Sequence, residues 1–175
     1  MSDRKRMKIL LKRPNTGPAG RRLLLALALS AASFAANAQT CTVASVHDGD
    51  TLRVRCPGSA KTIPVRLERI DAPELGQAGG MAARDFLRLL CPLGRQTRLT
   101  QTGKDRYGRT LGDVDCGSGS AQQAMLRNGH AWVYPTFSGE RALVQLQGHA
   151  QRNRLGLWKS AAPVAPWTFR KKQRG

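Results

Sequence analysis

The segment CTVASVHDGDTLRVRC, residues 41–56, constrains this chain more than any other stretch. Apolar and polar residues alternate along Thr42–His47 and again along Thr51–Arg55, the period of half-buried strands. Between the two runs stands Asp48-Gly49, the dipeptide that most favours a two-residue hairpin turn. About that centre Cys41 and Cys56 lie equally far from the turn, so they face each other across the expected hairpin and are expected to form a disulfide. Cys91 and Cys116 are then left to pair. A cysteine zinc site is disfavoured, because the chain has no C-x-x-C spacing and no histidine placed beside the cysteines.

The pairing requires an oxidising compartment, and the first residues point to one. Residues 1–22 hold eight basic side chains against one acid, Asp3. An uncharged run, Leu23–Ala36, follows, and then Ala36-Asn37-Ala38. A basic region, a short apolar region and an A-x-A site form a secretory signal peptide, expected to be cleaved after Ala38. The apolar run is short for a membrane span of about 20 residues. Arg21-Arg22 leaves the export route open. An even number of cysteines, all beyond the cleavage site, suits an exported protein, periplasmic or secreted.

The chain has 175 residues, a length for one domain. The expected organisation is a signal peptide over 1–38, a folded domain over 39–159 and a Pro-rich basic tail over 160–175. Hydrophobic residues make up 41%, a globular proportion. Collagen-like, coiled-coil and multi-spanning classes are excluded by scattered glycine, absent heptads and the single apolar run. The net charge is +18 for the whole chain. Beyond Ala38 there remain 21 basic and 10 acidic residues, so an excess of +11 belongs to the domain itself. Such a field attracts polyanions and makes binding steeply salt-dependent.

Thr62–Ile70 continues the strand period, with Pro64 placing it at an edge or bulge. Ala78–Leu90 reads as a helix ended by Cys91-Pro92. Thr97–Thr100 and Thr110–Val114 are short strands around the loop Gly103–Arg109. Ser120–Asn128 is a helix capped by Ser120 and stopped at Gly129, and Glu140–Arg154 is a third helix. Strands with interspersed helices and no βαβ rhythm predict an α+β fold built on a small antiparallel barrel. The tail from Ser160 is expected to be loosely held and solvated.

Three constellations carry chemistry. Asp48-Gly49-Asp50-Thr51 adds a second acid at a strand entrance, beyond what a turn needs. Arg66-Leu67-Glu68-Arg69-Ile70-Asp71-Ala72-Pro73-Glu74 places Asp71 and Glu74 at a strand end stiffened by Pro73. A period of two puts Arg66 and Asp71 on opposite faces unless a bulge intervenes. Asp105-Arg106-Tyr107-Gly108-Arg109 holds an arginine suited to clamp an anion bidentately. Standing alone, each is also an ordinary turn or polar loop. Together they suit phosphodiester cleavage. Carboxylates and a backbone carbonyl form an oxygen-only site for Ca²⁺ or Mg²⁺, with no thiolate or imidazole set. Glu74 is placed to take a proton from an attacking water. Arg66 and Arg109 are placed to stabilise charge on the five-coordinate phosphorus, each worth about 3–4 kcal/mol if it acts as an oxyanion-hole donor does.

The ordered set DGDT (48–51), RLERIDAPE (66–74) and DRYGR (105–109) resembles the staphylococcal nuclease family. GHAWVY (129–134), GLW (156–158) and the Pro166–Arg170 stretch are similar to its secreted bacterial branch, and the likeness spans roughly 42–158. The resemblance implies an OB-fold barrel of five strands with three packed helices. It implies a Ca²⁺-dependent nuclease that cleaves DNA and RNA at the P–O5′ bond and leaves 3′-phosphates, here a monomer without membrane attachment once processed. Asp50, Asp71 and the Ala72 carbonyl would bind Ca²⁺. Arg66, Glu74 and Arg109 would be catalytic. Tyr107 would hydrogen-bond a substrate phosphate, Tyr134 would line the substrate site, and Asp48 and Thr51 would support the calcium ligands.

Three departures from the family pattern stand out. Phe137 replaces a second tyrosine, the loop Leu75–Gly80 is short, and Gln147 and His149 stand where a carboxylate is frequent. His47, His130 and His149 share no spacing with carboxylates and read as surface or turn residues. Trp132, Trp158 and Trp167 read as packing residues. Arg170, Lys171, Lys172 and Arg174 read as a solvated charge run. Two other classes compete: a non-catalytic OB-fold that binds nucleic acid, and an exported cationic protein that binds anionic surface polymers. Neither needs a cluster of acids.

Overall fold

Strand β1 (Ala38–Val46) is long enough to pair on both sides, with β2 (Thr51–Arg55) along its second half and with β5 (Gln96–Lys104) along its first. The computed structural model describes residues 38–175; the segment 1–37, read above as a signal peptide, lies outside the described residues. The remaining barrel strands are β3 (Ile63–Leu67) and β6 (Thr110–Asp115), and the ring closes in the order β1-β2-β3-β6-β5. An expected all-antiparallel barrel cannot close with an odd number of strands, because alternating directions must fail at one seam. That seam is β3–β6, which is parallel, so the barrel is mixed. Inside it lie Val43, Leu52, Val54, Val65, Leu67, Leu99 and Val114, the inward positions of the alternation.

The first hairpin differs from a two-residue turn. Its loop is His47–Asp50, closed by the His47 N–H donating to the Thr51 carbonyl at 2.9 Å. A bulge between Val43 and Ser45 shifts the pairing by one residue and so restores Thr42 opposite Arg55. Cys41 and Cys56 therefore meet, and both expected disulfides are present, Cys41–Cys56 and Cys91–Cys116.

Among the described residues, four α-helices flank the barrel rather than three. They are α1 (Gly80–Leu90), α2 (Ala121–Arg127), α3 (Arg141–Arg152) and α4 (Pro166–Arg174). Ser120 caps α2 as expected, accepting from the Gln123 N–H at 3.3 Å. Helix α4 corrects the expectation of a loose tail. Pro166 occupies its first turn, where a missing N–H costs nothing. Trp167 then packs edge-on to Trp132 with ring centroids 5.8 Å apart, and Trp132 in turn meets Trp158 at 4.3 Å. The tryptophans are packing residues, and the third of them anchors the helix. No helix among the described residues is long and apolar enough to cross a membrane.

The expected strand 62–70 is broken. β3 ends at Leu67, Glu68 and Arg69 make a turn, and Ile70–Asp71 forms a separate short strand, β4, paired with β7 (Trp132–Val133). Arg69 sits at φ 70°, an unfavourable region for a side chain with a Cβ. The Tyr134 N–H donates to its carbonyl at 2.8 Å, and its guanidinium pairs with Asp113 and Glu140. This turn decides the geometry of the site.

Candidate active site

The turn at Glu68–Arg69 reverses the face of the chain, so Arg66 and Asp71 meet despite their odd separation. Arg66 Nη2 donates to Asp71 Oδ1 at 2.9 Å, and Nη1 donates to the carbonyls of Leu67 and Ile70 at 2.6 and 2.8 Å. The arginine thus clasps the turn that brings its own partner round. Its Nε lies 3.1 Å from Asp50 Oδ1. Arg66 is therefore first a structural tie: these contacts engage all three guanidinium nitrogens and leave one Nη2 N–H without a partner.

Asp50 arrives from the β1–β2 loop. Its Oδ2 accepts the Ala72 N–H at 2.7 Å, and its Oδ1 accepts the Thr51 hydroxyl at 3.1 Å. Asp48 shapes the same loop by accepting the Asp50 N–H at 3.0 Å. The loop can approach this closely only because residue 49 is glycine. A Cβ there would lie 2.6 Å from the Ala72 Cβ and 2.7 Å from the Ala83 Cβ. Asp50, Thr51, Asp71 and Ala72 are all buried.

Glu74 follows Pro73 and is half-buried. A short turn secures its backbone, the Gln77 N–H donating to the Glu74 carbonyl at 2.8 Å. Gly80 lies against that carbonyl so closely that any side chain would collide with it. The β5–β6 loop brings Arg109. Asp105 organises the loop, accepting from the Tyr107 and Arg109 N–H groups at 2.9 Å each and from Arg109 Nε at 2.7 Å. Slight burial opposes ionisation of Asp105, but these hydrogen bonds outweigh it and hold its pKa below the ordinary carboxylate value. Arg109 Nη1 reaches the Thr51 hydroxyl at 3.4 Å, and Tyr107 is 69% exposed with Arg106 and Arg109 over its ring.

These groups line one cleft of about 890 Å³, shared with Tyr134 and Phe137. Gln147, by contrast, is used elsewhere: its Oε1 accepts the Val133 N–H at 2.7 Å. His149 is exposed on α3. His130 stacks on Phe86 at 4.3 Å, and burial with the nearby Lys159 charge lowers its pKa.

The charge balance bears on metal binding. Asp48, Asp50, Asp71 and Glu74 face the cleft against Arg66 and Arg170. Burial pushes the Asp50 pKa up to about 7; Arg66 and the Ala72 N–H pull it down, while the Asp48 and Asp71 carboxylates raise it. Asp50 and Asp71 are buried oxygen donors flanked by the half-buried Asp48 and Glu74, and an all-oxygen set of this kind fits a hard divalent cation such as Ca²⁺. Among the described residues no three acid, cysteine or histidine side chains form a ready cage. Asp50, Asp71 and the Ala72 carbonyl would be the protein's share, with water and substrate oxygen completing the shell.

Two residues of the site escaped the sequence reading. Arg170, placed in a solvated tail, instead reaches Asp71 and Glu74. Gln77 is buried and donates through Nε2 to the Val164 carbonyl at 2.6 Å, fastening the segment before α4 to the Glu74 turn. Pro166-Trp167, just ahead of the basic run, was the available clue: a proline suited to a helix start, followed by a large apolar ring.

Fold and cleft together define an OB-type α+β barrel with a site of clustered carboxylates and arginines. The family model described as "Staphylococcal nuclease homologue" matches residues 64–160, more than half of the chain, and the chain belongs to that family. An uncharacterized endonuclease of Haemophilus influenzae is 38% identical over 152 residues, covering 87% of this chain and 83% of that protein. An uncharacterized endonuclease of Escherichia coli is 40% identical over 129 residues, 73% of this chain and 82% of its own. A staphylococcal-like nuclease of Arabidopsis thaliana is 36% identical over 116 residues, 66% of this chain but 36% of the plant protein.

Proposed function

We propose that this protein is an exported, calcium-dependent nuclease that hydrolyses DNA and RNA at the P–O5′ bond and leaves 3′-phosphate products. One observation carries the reading. A buried pair, Asp50 and Asp71, shares Arg66 at 3.1 and 2.9 Å, and the half-buried Glu74 and Arg109, each on a loop, open onto the same cleft. A nucleic-acid binder has no use for Asp50, Asp71 and Glu74 gathered at one cleft of a basic domain. Family membership and the names of the bacterial relatives support the same class of reaction.

Bound at Asp50, Asp71 and the Ala72 carbonyl, Ca²⁺ would supply charge neutralisation at a non-bridging phosphate oxygen. Glu74 accepts a proton from the attacking water as the new P–O bond forms. The P–O5′ bond breaks, and the departing O5′ takes up a proton from solvent water, while Glu74 later releases its own to solvent. Arg109, with the remaining Nη2 N–H of Arg66, hydrogen-bonds the equatorial oxygens as negative charge accumulates. Tyr107 and Tyr134 stand at the cleft wall for phosphate and base contacts. The domain's +11 charge draws the polyanion in. Removal of residues 1–38 and two disulfides suit a monomer that works outside the cytoplasm without membrane attachment.

Hydrolysis of single-stranded DNA in calcium and then in EGTA, with Glu74→Gln beside the parent, tests this. Calcium-dependent cleavage that collapses in the variant is expected. Tight DNA binding without cleavage at any calcium level would overturn the enzyme and leave a binding barrel.

A further inference from the structure

Arg170 lies beyond the residues matched by the family model and has no part in the roles described above. Its guanidinium sits between two carboxylates with separate tasks. Nη2 donates to Asp71 Oδ2 at 2.7 Å; Nη1 donates both to Asp71 Oδ1 at 3.2 Å and to Glu74 Oε1 at 2.7 Å. One nitrogen therefore serves both acids, and the carboxylates are held at a range where they repel unless a cation lies between them.

Glu74 depends on this contact. Its side chain is 41% exposed and, among the described residues, hydrogen-bonds to Arg170 alone. Without that partner a glutamate spreads over several rotamers. The arginine itself is braced. Trp167, one helical turn earlier, packs on Trp132 and on Tyr134, and Gln77 ties Val164 to the turn whose N–H and carbonyl belong to Glu74. Helix α4 and the Glu74 turn thus form one connected unit.

We infer that Arg170 is a positioning residue of the active site. It fixes the Glu74 carboxylate beside Asp71, in the orientation from which it accepts the proton of the attacking water. The inference rests on the reading of Glu74 as that base. A lysine can supply the charge but not the planar fork that holds two carboxylates at set distances.

The test is kcat and KM on single-stranded DNA for the full chain, Arg170→Ala, Arg170→Lys, Glu74→Gln and the double variant R170A/E74Q, with calcium affinity by calorimetry and Tm for each. Arg170→Ala is expected to lower kcat on the order of 10²-fold, the cost of a base misplaced by about 1 Å, with KM little changed. Arg170→Lys should recover part of it. Adding Arg170→Ala to Glu74→Gln should cost little more, because both act through one group. Calcium affinity should not weaken in Arg170→Ala, since a cation beside Asp71 has been removed. Faster turnover in Arg170→Ala would overturn the inference and make the guanidinium a block. A rise in KM alone would make it a substrate contact. Fully multiplicative losses would also overturn it, as would a fall in Tm that Arg170→Lys repairs together with full activity. If Glu74→Gln cleaves normally, the base assignment falls and this inference with it. If Glu74→Gln is dead and Arg170→Ala is normal, the inference alone falls.

Discussion

Asp50 and Asp71 are buried, and their oxygens are committed to Arg66, Ala72, Thr51 and Arg170. Glu74, Tyr107, Tyr134 and Arg109 share the cleft with them, yet each is exposed or on a loop, and most have one or two side-chain contacts. The inner half of the site is built into the fold, and its groups cannot be changed without disturbing the barrel. The outer half is mounted on the fold, and its groups can be changed one at a time. On the proposed reading, electrostatic preorganisation would belong to the first half, proton transfer and phosphate contact to the second.

Glu74→Gln separates the halves most sharply. It should lower kcat by about 10²–10⁴-fold, the usual worth of a general base, while thermal unfolding stays where it was. Arg66→Ala should do the reverse first. It strands the buried Asp50 carboxylate, leaves Asp71 with Arg170 alone and unfastens the Glu68–Arg69 turn, so a loss of about 3–5 kcal/mol in urea unfolding is expected, with activity lost as a consequence. Asp50 gives the next effect. Its folded pKa is raised, so the folded state binds more protons than the unfolded chain between pH 4 and 7, and stability without metal falls as pH rises through that window. The contribution is bounded by about 4 kcal/mol, and calorimetry in EGTA should show it shrink in Asp50→Asn. Calcium should stabilise the parent most at neutral pH. Arg109→Lys should have the smallest effect, weakening transition-state binding by about 1.5–3 kcal/mol in kcat/KM. Its half-exposed pair with Asp105 supplies at most about 1 kcal/mol of stability, so Tm should barely move. Loss of fold in Glu74→Gln, or an unaffected fold in Arg66→Ala, would break the distinction.

Most of the barrel was legible because alternation and turn residues are local properties. The cysteine pairing was legible for the same reason, although a bulge, not a two-residue turn, made the register agree. What could not be read depends on closure and on distant partners. The parallel β3–β6 seam follows from ring parity, which no segment carries by itself. The meeting of Arg66 with Asp71 depends on Arg69 at φ 70°, held there by Tyr134, Asp113 and Glu140 from three other places in the chain. Arg170 looked like one more charge in a basic run because its acids lie nearly a hundred residues upstream. The candidate residues of the three motifs do line one cleft, but their division into buried ties and exposed groups was visible only in three dimensions.

The tryptophan cluster has a spectroscopic consequence. The chain has three tryptophans, and Trp132, Trp158 and Trp167 form one edge-to-face group, with Tyr134 beside it. Excitation at the red edge of the ultraviolet therefore reports on a single corner of the molecule, the one where α4 joins the barrel. Rings this close exchange excitation, so tryptophan emission should register undocking of the last helix while the barrel strands, which carry no tryptophan, remain silent.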